Sequence, residues 1–202
     1  MTAAWLSISA ETQMDSSEDL IERARSGDAA AFQQIYEQHH RFVLRFLYAM
    51  VGDRGLAEEL TQETFVRAFM SIGKMRNEAR ISTWLGGIAK NVASNFFRSR
   101  RRDNRNLEIE RLLFKESIRK GSLSPDAELL NLELQDVIRD ALGKLSEDKR
   151  LVFVLKILQH KSYEEIAEIT GSAIPKLKTD LFRAKAEMRK LVRPYLETSD
   201  EL

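Results

Sequence analysis

Two clusters of cations are the residues of this sequence best suited to chemistry, and that chemistry is the binding of a polyanion. From Arg98 to Arg105 five arginines stand against one acid, Asp103, a local charge of +4. From Lys176 to Arg193 seven bases stand against Asp180 and Glu187, a local charge of +5. The whole chain carries only +1, and its first 27 residues hold five acids against two arginines. Two separated basic patches on a near-neutral chain suit contact with one polyanion at two places. By charge alone, two solvated helix ends would look the same. No residue set offers catalysis. His39, His40 and His160 make no ligand spacing with Asp or Glu, and no glycine-rich phosphate loop occurs. Cysteine is absent, which excludes disulfides, thiolate metal sites and cysteine nucleophiles. The expectation is a protein that is no enzyme, with no catalytic residues, no cofactor, no metal and no small-molecule substrate.

The elements that must position these cations are helical. The chain has 202 residues, 43% hydrophobic and 31% charged, with nine Gly and three Pro. So few breakers argue against a turn-rich β protein. The apolar periodicity predicts an all-α fold of two helical domains joined by a linker. Residues 1–15 read as a disordered N-terminus. A first domain over 16–103 holds helices starting at Ser16 or Ser17 and ending near Gly27, then over about 29–51, 55–72 and 81–102. Leu56, Leu60, Phe65 and Phe69 share one side of the third. The segment 73–80 is polar and reads as a loop. The linker, 104–124, contains Leu107, Ile109, Leu112, Leu113 and Phe114, too apolar for a pure spacer. A second domain over 125–195 has helices near 125–142, 146–159, 162–170 and 173–193, and 196–202 form an acidic tail. No leader peptide and no apolar run of about 20 residues occurs, so the expected compartment is the cytoplasm, without membrane insertion.

The last two helices carry the most specific local signal. Ser162-Tyr-Glu-Glu165 has capping-box spacing. Ala167 is small, Gly171 sits where a tight turn needs a permissive residue, and Ile166, Ile169, Ile174, Leu177 and Leu181 can share one small core. The second helix presents Lys176, Lys178, Thr179, Arg183 and Lys185. This is a helix-turn-helix whose second helix fits the major groove; a plain helix pair with a solvated basic face is the competing reading. Asp180 lies among the bases, where it would repel a phosphate or accept from a cytosine amino group. Pro175 is tolerable if Ser172 caps the helix and the ring lies in its first turn.

Ala57-Glu-Glu-Leu-Thr-Gln-Glu-Thr-Phe-Val-Arg-Ala-Phe69, Ser82-Thr-Trp-Leu-Gly-Gly-Ile-Ala-Lys-Asn91 and Arg98-Ser-Arg-Arg-Arg102 together resemble region two of bacterial sigma factors, in the compact extracytoplasmic-function (ECF) subfamily. Gly27-Asp-Ala-Ala-Ala-Phe32 matches the opening helix. Leu142-Gly-Lys-Leu-Ser-Glu-Asp-Lys-Arg150, Lys161-Ser-Tyr-Glu-Glu-Ile-Ala167 and Arg183-Ala-Lys185 resemble region four. The resemblance implies a subunit that binds RNA polymerase core, at a coiled coil of the largest subunit and at the flap, and directs it to promoter DNA. Glu58, Glu59, Gln62, Glu63, Phe65 and Arg67 would then face polymerase. Lys74, Arg76, Asn77, Arg80, Thr83, Trp84, Lys90 and Asn91 would serve minus-ten recognition and melting, with Trp84 either a stacking platform or core. Arg98 and Arg101, with Arg100 and Arg102, would hold phosphates. Ser172, Lys176, Lys178, Thr179, Asp180 and Arg183 would read the minus-thirty-five element.

The sequence departs from the family at Ala173, Pro175 and Asp180, and at Gly86 and Gly87, where the family has an arginine after Trp-Leu. Two glycines should loosen that helix by about 1 kcal/mol each relative to Ala. The resemblance also implies control by an anti-sigma factor. The alternative is a stand-alone helix-turn-helix regulator that binds DNA unaided.

Overall fold

Asp28 and Asp53 set the first two inter-helix turns. The structure, a computed structural model, describes residues 17–75, 81–103 and 127–197. Helix α1 spans Ser17–Arg25 and α2 Ala29–Val51. Between them Asp28 accepts from the backbone N–H groups of Ala30 and Ala31 at 2.9 and 3.1 Å. Arg23 donates to its other oxygen at 2.8 Å. That guanidinium, followed by the backbone donors, holds the Asp28 carboxyl below its usual range. Gly52, at φ +78°, ends α2 in the left-handed region that favours glycine. Asp53 then caps α3 (Arg54–Ser71) by accepting from Leu56 N–H at 2.8 Å.

The start of the expected loop after α3, residues 73–75, is more regular and more apolar than its composition suggested. A 3-10 turn covers Ile72–Lys74, and Met75 beyond it is buried. Residues 76–80 lie outside the described residues, as do the linker and its apolar group. Helix α4 spans Ile81–Asp103 and ends in Arg100, Arg101 and Arg102.

The second half has α5 (Ala127–Lys144), α6 (Glu147–Phe153), α7 (Tyr163–Thr170) and α8 (Ile174–Glu197). One continuous helix was expected near 146–159. Instead α6 widens into a π turn over Val154–Leu158, and Ser146 makes no side-chain cap hydrogen bond. The box at α7 is complete: Ser162 Oγ accepts from Glu165 N–H, and Glu165 accepts from Ser162 N–H. Gly171, at φ +71°, closes the turn and donates to the Ala167 carbonyl at 2.8 Å. Pro175 is the second residue of α8, where no backbone donor is needed. The residue before α8 is Ala173 rather than Ser172. The Ala173 carbonyl takes the first helical bond, from Leu177, while Ser172 N–H donates to Thr170 Oγ1. The helix also runs through Pro194 instead of stopping at 193.

All described elements are helical, as expected. Ile35, Phe46, Leu47, Leu85 and Val92 centre the first bundle; Val152, Leu155, Ile166, Leu177 and Leu181 centre the second. These are not two isolated cores. One cluster of buried residues runs through both halves, because α2 and α4 pack against α5, α6 and α7.

Candidate polymerase and nucleic-acid interfaces

Helix α3 buries Ala57, Leu60, Thr61, Thr64, Phe65 and Ala68. The two threonines tolerate burial because their hydroxyls donate to the carbonyls four residues back, Ala57 and Leu60, at 2.6 and 2.7 Å. The opposite face exposes Glu58, Glu59, Gln62, Glu63 and Arg67. Glu58 pairs with Arg54 and Glu63 with Arg67, each one helical turn away. Phe65 does not belong with them. It is 5% exposed and meets the Tyr36 ring edge-on at 4.8 Å. The exposed aromatic is Phe69, which the apolar stripe had placed inward. Val66 (58%), Phe69 (52%) and Met70 (78%) extend the polar face into an apolar end. Phe69 is steadied by an edge contact with Phe32 at 5.0 Å. Periodicity could have flagged Val66 and Met70, four residues apart and off the buried stripe.

Helix α4 separates its candidates. Lys74 is exposed at the end of the 3-10 turn, and Asn91 is exposed on the helix. Lys90 is half-buried, with its ammonium 3.4 Å from Asn91 Oδ1. Trp84 is half-buried against the core. Thr83 is 1% exposed and cannot touch DNA in this arrangement, which corrects its assignment to the minus-ten surface. Arg76, Asn77 and Arg80 lie outside the described residues. Arg98 is exposed. Arg101 is ion-paired to Glu147 of α6, and Ser94 donates to the same carboxylate at 3.1 Å. The two glycines differ. A β-carbon on Gly86 would lie 3.0 Å from Ile169 Cδ1, whereas one on Gly87 would meet nothing within 4 Å.

In the helix-turn-helix, Leu177, Leu181, Ala184 and Met188 face inward from α8. Lys178, Thr179 and Arg183 are exposed. The Lys178 ammonium lies 5.6 Å from the Tyr163 ring centroid, and Lys156 lies 4.8 Å from the same ring. Thr179 Oγ1 donates to the Pro175 carbonyl at 3.0 Å. Asp180 is no free carboxylate among bases: it is half-buried and accepts from Lys176 at 2.6 Å, while Lys176 also donates to Asp148 at 3.1 Å. Those two carboxylates, Asp180 first, raise the Lys176 ammonium above its ordinary value. Phe182, unremarked in the sequence, is 76% exposed beside these cations.

Two helical bundles, one ending in a helix-turn-helix with a cationic second helix, define an all-α DNA-binding protein. Residues 35–103 match the family described as Sigma-70 region 2, and residues 135–188 match Sigma-70, region 4. The ECF RNA polymerase sigma-E factor of Haemophilus influenzae is 30% identical over 184 residues, 88% of this chain and 95% of that protein. The ECF RNA polymerase sigma factor SigW of Bacillus subtilis is 30% identical over 179 residues, 86% and 95% of the two chains. The solved sigma factor RpoE of Bartonella quintana, in complex with the anti-sigma factor NepR, superposes with a TM-score of 0.65 at 24% identity, over 80% of this chain and 96% of that one. This chain belongs to the ECF subfamily of sigma-70 factors, which are transcription initiation factors. A region-two match over 35–103 disfavours the stand-alone regulator, which has no use for that half. Among the described residues no helix is long and apolar enough to cross a membrane.

Proposed function

We propose that this chain docks on RNA polymerase core through the exposed face of α3 and directs the enzyme to promoters with both halves. The observation that carries the docking claim is the continuity of that face: acids at Glu58, Glu59 and Glu63 run into Val66, Phe69 and Met70. Exposed apolar side chains of this size, rimmed by charge, mark an interface more than a solvated helix. Region four adds a contact at the flap.

The minus-ten element is read and opened along α4, with Lys74 and the 76–80 segment supplying cations. Trp84 serves as core, so the capture of unstacked bases falls to the exposed polar side chains beside it. Arg98, Arg101 and their neighbours hold backbone phosphates, which gives affinity without sequence information. The minus-thirty-five element is read by α8 through Lys178, Thr179 and Arg183. Phe182 adds an apolar surface suited to a thymine methyl group. The family resemblance supports control by an anti-sigma factor, which would cover these same faces, and supports action in the cytoplasm, where core polymerase works.

Met70→Asp tests the docking claim. It places a charge in the apolar end of the face without touching the core. Core binding should weaken at least tenfold while the circular dichroism spectrum and unfolding midpoint stay unchanged. Unaltered core affinity would overturn the assignment of this face.

A further inference from the structure

Sulfur in this chain is carried by six methionines and no cysteine. Among the described residues three methionines are shielded: Met50 is 2% exposed, Met75 3% and Met188 7%. Met70 differs, at 78%. It lies in the last turn of α3, one turn beyond Val66 and next to Phe69, at the apolar end of the face that carries Glu58, Glu59 and Glu63. The helix buries its other side, through Ala57, Leu60, Thr64, Phe65 and Ala68, so the Met70 thioether stands open to water in the free chain.

That thioether is chemically unlike its two apolar neighbours. Val66 and Phe69 are inert to mild oxidants, whereas a peroxide converts methionine to its sulfoxide. A lone pair on Sδ attacks one peroxide oxygen, and the S–O bond forms as the O–O bond breaks. Sulfur gives up two electrons. The attacked oxygen loses its proton to solvent, and the departing hydroxide takes up a proton to become water. With no thiol in the chain to compete, the most exposed thioether among the described residues reacts first.

The product is a polar, chiral side chain in place of a flexible apolar one. In the free chain water solvates the new S–O dipole, and no core contact is lost. In an interface that covers Met70 with apolar surface, the dipole loses that water and gains no donor. Oxidation at this position therefore weakens docking and leaves the fold intact. Methionine sulfoxide reductases reverse the change, so the modification is not terminal damage.

Resting on the docking role of α3 proposed above, we propose that Met70 is a reversible oxidation site through which peroxide withholds the free chain from core polymerase. A chain already docked has its thioether covered and is protected.

The full chain is treated with hydrogen peroxide, catalase removes the excess, and core polymerase is then added. Peptide mass spectrometry should find one added oxygen on Met70 well before Met50, Met75 or Met188. Core affinity should fall about tenfold or more, with circular dichroism and unfolding midpoint unchanged, and methionine sulfoxide reductase should restore it. In Met70→Leu, compared with its own untreated affinity, peroxide should change nothing. An equal loss in Met70→Leu overturns the proposal, because the damage then lies elsewhere. Oxidation of Met70 no faster than that of the shielded methionines also overturns it. So does a chain oxidised at Met70 that binds core undiminished. In that last case Met70→Asp separates the two readings: if it binds core weakly the docking face stands without the oxidation site, and if it too binds undiminished the docking face falls.

Discussion

The Lys176 ammonium is held 2.6 Å from the Asp180 carboxylate, one turn along the recognition helix, and 3.1 Å from Asp148. A cation shared by two acids is a poor phosphate ligand. The carboxylate suspected of repelling DNA, or of reading cytosine, instead occupies a neighbouring base. Exposed ion pairs of this kind are worth about 0–1 kcal/mol, so the effect on binding is larger than the effect on stability.

Asp180→Asn should therefore leave Lys176 held only by the exposed Asp148, a partner that a phosphate can displace. In the polymerase holoenzyme, promoter affinity should rise, and the slope of log K against log salt should steepen by about one, the signature of one added phosphate contact. Filter binding across a salt series measures this. An unchanged slope would mean that Lys176 does not reach a phosphate even when released.

Gly87 carries a helix-propensity cost, and a β-carbon there would meet nothing within 4 Å. Gly87→Ala should stabilise the chain by about 0.5–1 kcal/mol in urea unfolding. A loss of stability would show that the position is packed more tightly than its open surroundings indicate.

Ser162 accepts from Glu165 N–H at 3.1 Å, while Glu165 also holds Lys161. Ser162→Ala removes one half of the box and should cost about 1 kcal/mol. The loss should show in urea unfolding of the full chain and, by hydrogen exchange, concentrate in α7. Uniform loss of protection across α1 to α4 would contradict that assignment.

His39 on α2 responds to burial first and then to the Lys161 ammonium from the other half; both push its imidazole below the ordinary value of 6.5. The folded chain thus favours the neutral ring. The unfolded chain takes up its proton as pH falls through 6.5, and the folded chain only at lower pH. The neutral ring's contribution is fully present above 6.5 and is lost as pH drops below it. Unfolding free energy should fall between pH 7 and 5.5, by no more than about 1.4 kcal/mol per pH unit from this group. His39→Gln should flatten that decline. Equal pH profiles for the two proteins would remove His39 from the account.

Much of the architecture was legible because it is local. Asp28, Ser162, Gly52 and Gly171 are caps and turns whose chemistry depends on a few neighbouring residues, and the helices follow from them. What was not legible depends on which side of a helix faces the rest of the chain. Phe65 and Phe69 are one turn apart on α3; only the packing of Tyr36 and Phe32 decides that the first is inward and the second outward. Thr83 reads as polar and available, but its place on α4 is covered. Asp180 and Lys176 were both read as exposed to DNA because Asp148, 28 residues earlier in sequence, gives no local sign of joining them. The packing of the two halves was the largest omission. Gly86 read as a weak point in a helix, and its reason, Ile169, is supplied by the other half of the chain.

Run-off transcription with purified core polymerase on a library of promoter fragments tests the central claim most directly. Addition of this chain should start transcription at a distinct subset of promoters sharing a minus-ten and a minus-thirty-five element, and core alone should not. No stimulated initiation on any promoter, from a chain that binds core polymerase, would contradict the account.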